Sequence, residues 1–196
     1  MEGLEFGKLK RMNKNQEKES GNVIFCKIFY KQYLFLIFIL PLGATLSESL
    51  DNFAFYNLME ERIVLSDFLK NFSEKDILIL NFTGSQCKPC KEQVPILLDL
   101  VKKTNIEATG KWKVFFWIVF VGDDFQIGKE YSNLLNLSNN AETFVDPLSS
   151  SYKQIKIVGL PAVFILNSKR EILLKIEGYN QSGTNKLKNF LSSWRK

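Results

Sequence analysis

Apolar positions along this chain fall into two kinds of run, and their alternation outlines a fold. Residues 76–82 (DILILNF) and 113–121 (KVFFWIVFV) are apolar almost throughout, so each predicts a strand covered on both faces rather than a solvated edge. Between them, residues 88–104 carry Val94, Leu97, Leu98 and Val101 at helical spacing, with Pro95 placed to kink the helix and Gly110 to end it. Residues 123–137 return to helical character, 143–146 give a brief extended piece before Pro147, and 151–157 a short helix or turn. Two strands at 162–167 and 171–177 predict a hairpin around Ser168, Lys169 and Arg170. A closing helix over 185–194 puts Leu187, Phe190, Leu191 and Trp194 on one side. Upstream, 62–65 predict a short strand and 66–69 a helix start or turn. Residues 47–61 are mixed and predict an exposed lead-in whose Phe53, Phe55 and Tyr56 can pack on the domain. Covered strands alternating with helices, then a hairpin and a terminal helix, predict an α/β fold: a central mixed β-sheet flanked by helices.

The first 44 residues follow a different pattern. Basic and polar residues through Lys31 precede the apolar run 33–40 (YLFLIFIL), which exits through Pro41, Leu42, Gly43 and Ala44. This is the layout of a signal peptide, with cleavage expected after Ala44, or of an uncleaved N-terminal membrane anchor. The anchor needs the longer run 23–46, which would hold Lys27 and Lys31 in the bilayer. The positive-inside bias then leaves everything after the run outside the cytoplasmic membrane. The expected organisation is a leader at 1–44, a lead-in at 45–61 and one domain at 62–196. Charge agrees with that division: 1–44 carry seven Lys or Arg against four Asp or Glu, whereas 45–196 carry nineteen against seventeen. A nearly balanced domain gives nucleic acid no electrostatic purchase. The seventeen phenylalanines are explained most simply as core.

Candidate chemistry sits where the first covered strand meets the first long helix. Cys87-Lys88-Pro89-Cys90 places one cysteine at a helix N-terminus, where unpaired backbone N–H groups and the dipole favour its thiolate. The second cysteine, one turn on, can close a disulfide with it. The same spacing serves structural zinc, which would need two further ligands. The chain has no histidine, and its third cysteine, Cys26, lies in the leader. An inert pair is the remaining alternative. Lys88 favours a thiolate modestly, and Pro89 suits the first turn of a helix and stiffens it. Gly84 allows close approach beneath the loop. Pro161, read from the residues alone, is an ordinary loop proline.

With these residues in place, the chain resembles the thioredoxin superfamily, and within it the exported, membrane-tethered thiol–disulfide oxidoreductases of the TlpA/ResA kind. Residues 62–68 (RIVLSDF) resemble that family's strand and turn ahead of the active-site strand. Residues 80–90 (LNFTGSQCKPC) resemble the active-site segment, and 158–166 (VGLPAVFIL) the strand led by a cis-proline. The stretch 112–157 is similar to the family's strand plus an inserted helix and strand, which lie between the active-site helix and the cis-proline strand. The resemblance implies a thioredoxin-like fold with Cys87 as nucleophile, Cys90 as resolving cysteine, and no cofactor beyond a redox-active Cys87–Cys90 disulfide. It implies that Pro161 is cis and exposes the backbone of Leu160 to substrate. It further implies a monomer that reduces protein disulfides, apocytochrome c among them, recharged by a membrane electron donor of the DsbD/CcdA type.

Several positions depart from that family. Thr83 and Gln86 stand where tryptophans are usual, which makes the surface around Cys87 more polar. Asn81 occupies the place of a buried aspartate in ordinary thioredoxins, where the TlpA/ResA kind often carries asparagine, and it cannot take up a proton as a carboxylate does. Gln93 replaces a glutamate. Two other functions stay open: a peroxiredoxin-like peroxidase, against which Thr83 lies four residues before Cys87 instead of three, and a non-catalytic binding module of the same fold. Copper delivery would need a histidine.

Overall fold

The computed structural model describes residues 48–137 and 141–194, all within a unit spanning Ser47–Lys196. The leader at 1–44 and Cys26 lie outside the described residues. Seven strands form one mixed sheet: β1 (Ala54–Asn57), β2 (Arg62–Val64), β3 (Ile77–Thr83), β4 (Val114–Val121), β5 (Glu142–Asp146), β6 (Ala162–Leu166) and β7 (Ile172–Glu177). Their spatial order is β2-β1-β5-β4-β3-β6-β7. Among the described residues five helices accompany them: α1 (Leu65–Leu69), α2 (Lys88–Ala108), α3 (Phe125–Leu134), α4 (Ser150–Ile155) and α5 (Gln181–Trp194). β3 pairs in parallel with β4 and antiparallel with β6, and β4 in parallel with β5. This is the thioredoxin-like architecture expected, with α3 and β5 inserted between the active-site helix and the strand after Pro161.

Alternation along the strands builds two cores. Ile77 and Ile79 of β3, with Ile118 and Phe120 of β4, face Val94, Leu97 and Val101 of α2 and Leu187 and Leu191 of α5. Leu78, Leu80 and Phe82 face the other way, onto Phe55, Leu65, Leu69, Trp117 and Phe144. Every residue of β3 is buried, because helices cover both faces, which is why its sequence shows no polar stripe. Phenylalanine does fill the core: Phe55 alone meets Phe53, Phe82, Trp117 and Phe144 with ring centroids 6.0–6.2 Å apart.

Two sequence expectations need correction. The segment 47–61 is not simply an exposed lead-in, since β1 inserts between β2 and β5 and Phe55 is fully buried. Its β-propensity was hidden because only four residues pair and only Phe55 among them is core. The helix expected over 88–104 runs on to Ala108 and ends with Thr109 in the left-handed conformation (φ 51°), one residue before Gly110. Pro95 sits inside α2 on its exposed side, in the second turn.

Candidate active site

β3 delivers the chain directly to the cysteine pair. At its end the Cys87 N–H donates to the Gly84 carbonyl at 3.1 Å, closing a tight turn over Gly84, Ser85, Gln86 and Cys87. Cys87 is the N-cap of α2, in extended backbone conformation, and its Sγ accepts the Cys90 N–H at 3.2 Å. The sulfur thus occupies the place of a capping oxygen and shares the Cys90 N–H with the Cys87 carbonyl, which accepts it at 3.2 Å. Pro89 lies in the first turn, where its missing N–H costs nothing. Cys87 and Cys90 are joined by a disulfide with their Cα atoms 5.3 Å apart. The two sulfurs differ in access: Cys90 is 1% exposed, while Cys87 is only partly covered, between exposed Gln86 and exposed Lys88.

Beneath the pair, Asn81 projects from β3 toward α2, fully buried, and its Nδ2 donates to Oε1 of buried Gln93 at 3.1 Å. Gln93 lies one turn beyond Cys90 on the same helix face. The Asn81 Oδ1 has no hydrogen-bond partner. Two residues that the sequence showed as separate departures are therefore one amide pair, with neither member able to titrate.

The Leu160–Pro161 peptide is cis, and the pairing of Phe82 with Ala162 carries it to the same end of the sheet as the cysteines. A Cβ on Gly84 would lie 3.4 Å from Leu160 Cδ1. That is ordinary contact, so Gly84 is close to Leu160 without being sterically obligatory.

Three further residues at this site, Ser85, Asp123 and Tyr131, are not among those the sequence reading singled out. Ser85 donates its N–H to Asp123 Oδ2 at 2.7 Å and its hydroxyl to Asp123 Oδ1 at 2.6 Å. Tyr131 of α3 donates its hydroxyl to the Ser85 carbonyl at 3.0 Å. The available signal was the Asp123-Asp124 pair ahead of α3. A helix needs one N-cap, and Asp124 supplies it by accepting the Ile127 N–H at 2.8 Å. The second acid is left to turn inward.

A depression of about 540 Å³ lies elsewhere, lined by Val101, Lys102, Asn105, Lys113 and Glu142 among others, with neither cysteine in its wall. Exchange between sulfurs requires an accessible sulfur rather than a cavity, so the cysteine pair and not this depression is the candidate site. Among the described residues no cluster of His, Cys, Asp or Glu could hold a metal ion, and no helix is long and apolar enough to cross a membrane.

Residues 75–172, half of the chain, match the profile of a family described as thioredoxin-like. No protein with a curated description matches. Among solved structures, the chain is similar to a thiol-disulfide oxidoreductase from Bacteroides fragilis, at 22% identity and a TM-score of 0.53 over 73% of this chain and 99% of that one. It is similar to StoA from Bacillus subtilis at 20% identity and a TM-score of 0.53, over 74% and 97% of the two chains. An uncharacterized thioredoxin-like protein from Porphyromonas gingivalis aligns at 19% identity with a TM-score of 0.58, over 74% and 90%. At such identities the likeness is one of fold.

Proposed function

The chain belongs to the thioredoxin-like family, and we propose that it is a thiol–disulfide oxidoreductase that reduces protein disulfides beyond the cytoplasmic membrane. The observation that carries this reading is the asymmetry of the Cys87–Cys90 disulfide, whose outer sulfur caps α2 while the inner one is 1% exposed. In the reduced protein, Cys87 at the helix N-terminus is the better thiolate, because the dipole effect fades within the first turn. That thiolate attacks a substrate disulfide, expelling one substrate sulfur and forming a mixed disulfide. Cys90 then attacks Cys87 Sγ, releasing the second substrate sulfur as a thiol and regenerating the internal disulfide. Two electrons pass to the substrate in each cycle. Lys88 and Pro89 support the thiolate and the turn, and Asn81 supports the floor of the site. The backbone of Leu160 beside Pro161 offers a partner segment an edge to pair with.

The direction rests on the family resemblance and on chemistry beside Cys87. The Lys88-Pro89 dipeptide brings no imidazole, the group that makes strongly oxidising pairs. A reductant in an oxidising compartment must be recharged from the membrane, which gives the DsbD/CcdA type of donor its place and apocytochrome c its place as a candidate substrate. Export rests on the leader pattern at 1–44. Reduction of insulin disulfides by the full-length chain, with dithiothreitol as electron donor, tests the activity. Many turnovers per molecule are expected, abolished by Cys87→Ser. A rate no higher than dithiothreitol alone would overturn the oxidoreductase reading and leave a binding module.

A further inference from the structure

The turn that presents Cys87 is held from the β4–α3 side through a single residue. Ser85, second in the Gly84–Cys87 turn, has its N–H and hydroxyl bound by Asp123 and its carbonyl by Tyr131. With all three polar groups engaged, the turn has a fixed orientation relative to β4. Asp123 is 9% exposed, and a Cβ on Gly84 would lie 3.8 Å from its Oδ2. Among the described residues no ion pair involves Asp123. Lys88 and Lys91 of α2 are exposed, and Lys91 Nζ sits 5.2 Å above the Tyr131 ring. Solvent and salt screen those cations strongly, and the buried carboxylate far less. The result is an uncompensated negative charge bonded to the residue two before the nucleophile.

We propose that Asp123 is a positioning residue for Cys87: through Ser85 it holds the active-site turn, and its negative charge opposes the Cys87 thiolate, biasing the pair toward its disulfide. The inference rests on the oxidoreductase reading above and adds to it a reason for the reducing direction. In exchange with glutathione, the Cys87–Cys90 disulfide accepts two electrons and two protons from two glutathione thiols, giving the dithiol and one glutathione disulfide. Wherever Cys87 ionises it returns a proton to solvent, and a favourable setting for that thiolate draws the equilibrium to the reduced side. A nearby carboxylate withdraws part of that stabilisation.

The test is the equilibrium of the full-length protein with glutathione and its disulfide at pH 7, together with the alkylation rate of Cys87 at the same pH. Asp123→Asn keeps an oxygen for the Ser85 N–H and an amide donor for its hydroxyl while removing the charge. It should shift the equilibrium toward the dithiol by about threefold or more, the size expected when one partly screened charge is removed from beside the turn, and speed alkylation in proportion. Asp124→Asn removes the same charge from the exposed cap of α3 and should change neither. Should Asp123→Asn fail to fold, Asp123→Ser, with a hydroxyl acceptor, carries the same expectation. Asp123→Asn indistinguishable from the parent, or Asp124→Asn matching it, would overturn the proposal. A parent protein that does not exchange with glutathione at all would instead overturn the oxidoreductase reading.

Discussion

Glu142 opens β5 in register with Trp117, and burial lifts its carboxyl above the ordinary value of 4.5. The Trp117 indole and Lys113 act in the opposite sense without cancelling it, and the indole N–H reaches no partner in good hydrogen-bond geometry. Because the folded state holds this proton more tightly than the unfolded chain, the contribution of Glu142 to stability is fully present below 4.5 and is lost as pH rises through the raised folded value. Glu142→Gln should therefore raise the urea midpoint slightly at pH 7 and leave it unchanged near pH 4. The gain is small since the side chain keeps substantial solvent contact. A lower midpoint at pH 7 would show that the carboxylate is stabilising instead. The same scale holds what the sequence concealed. Cys87 and Cys90 were legible because their chemistry lies within one helical turn. The bonds from Ser85 to Asp123 span 38 residues, and no local pattern links two such positions until the sheet brings the ends of β3 and β4 together.

Elements with uniform apolar cores were legible in outline. β3, β4 and the β6–β7 hairpin fall where the runs place them, because a strand buried on both faces has no polar positions to confuse its period. β1 escaped notice because its pairing partners, β2 and β5, are supplied by tertiary structure, and four residues carry too little pattern to announce a strand. Its importance is open to measurement. Phe55 is completely buried against Phe82, Trp117 and Phe144, so Phe55→Ala should cost about 3–5 kcal/mol in chemical denaturation. A loss below about 1 kcal/mol would mean that β1 is dispensable and the domain begins nearer Arg62.

At the scale of the molecule, residues 45–196 are close to neutral while residues 1–44 are basic, so the folded part gives nucleic acid no electrostatic purchase. Direction of electron flow is a property of the whole site: an N-capping sulfur, exposed lysines, a buried amide pair and an inward-turned carboxylate all enter it. A midpoint potential well below the about −120 mV of a strong oxidant is expected for the Cys87–Cys90 pair, and a value near that figure would make the protein an oxidase. The division of labour between the two sulfurs is tested most directly by trapping. With Cys90→Ser, Cys87 can attack but not be released, so mass spectrometry should find mixed disulfides with protein partners accumulating on Cys87, and should find none with Cys87→Ser. Equal and abundant adducts through Cys90 in the Cys87→Ser protein would contradict the account, because the sulfur at 1% exposure would then be the nucleophile.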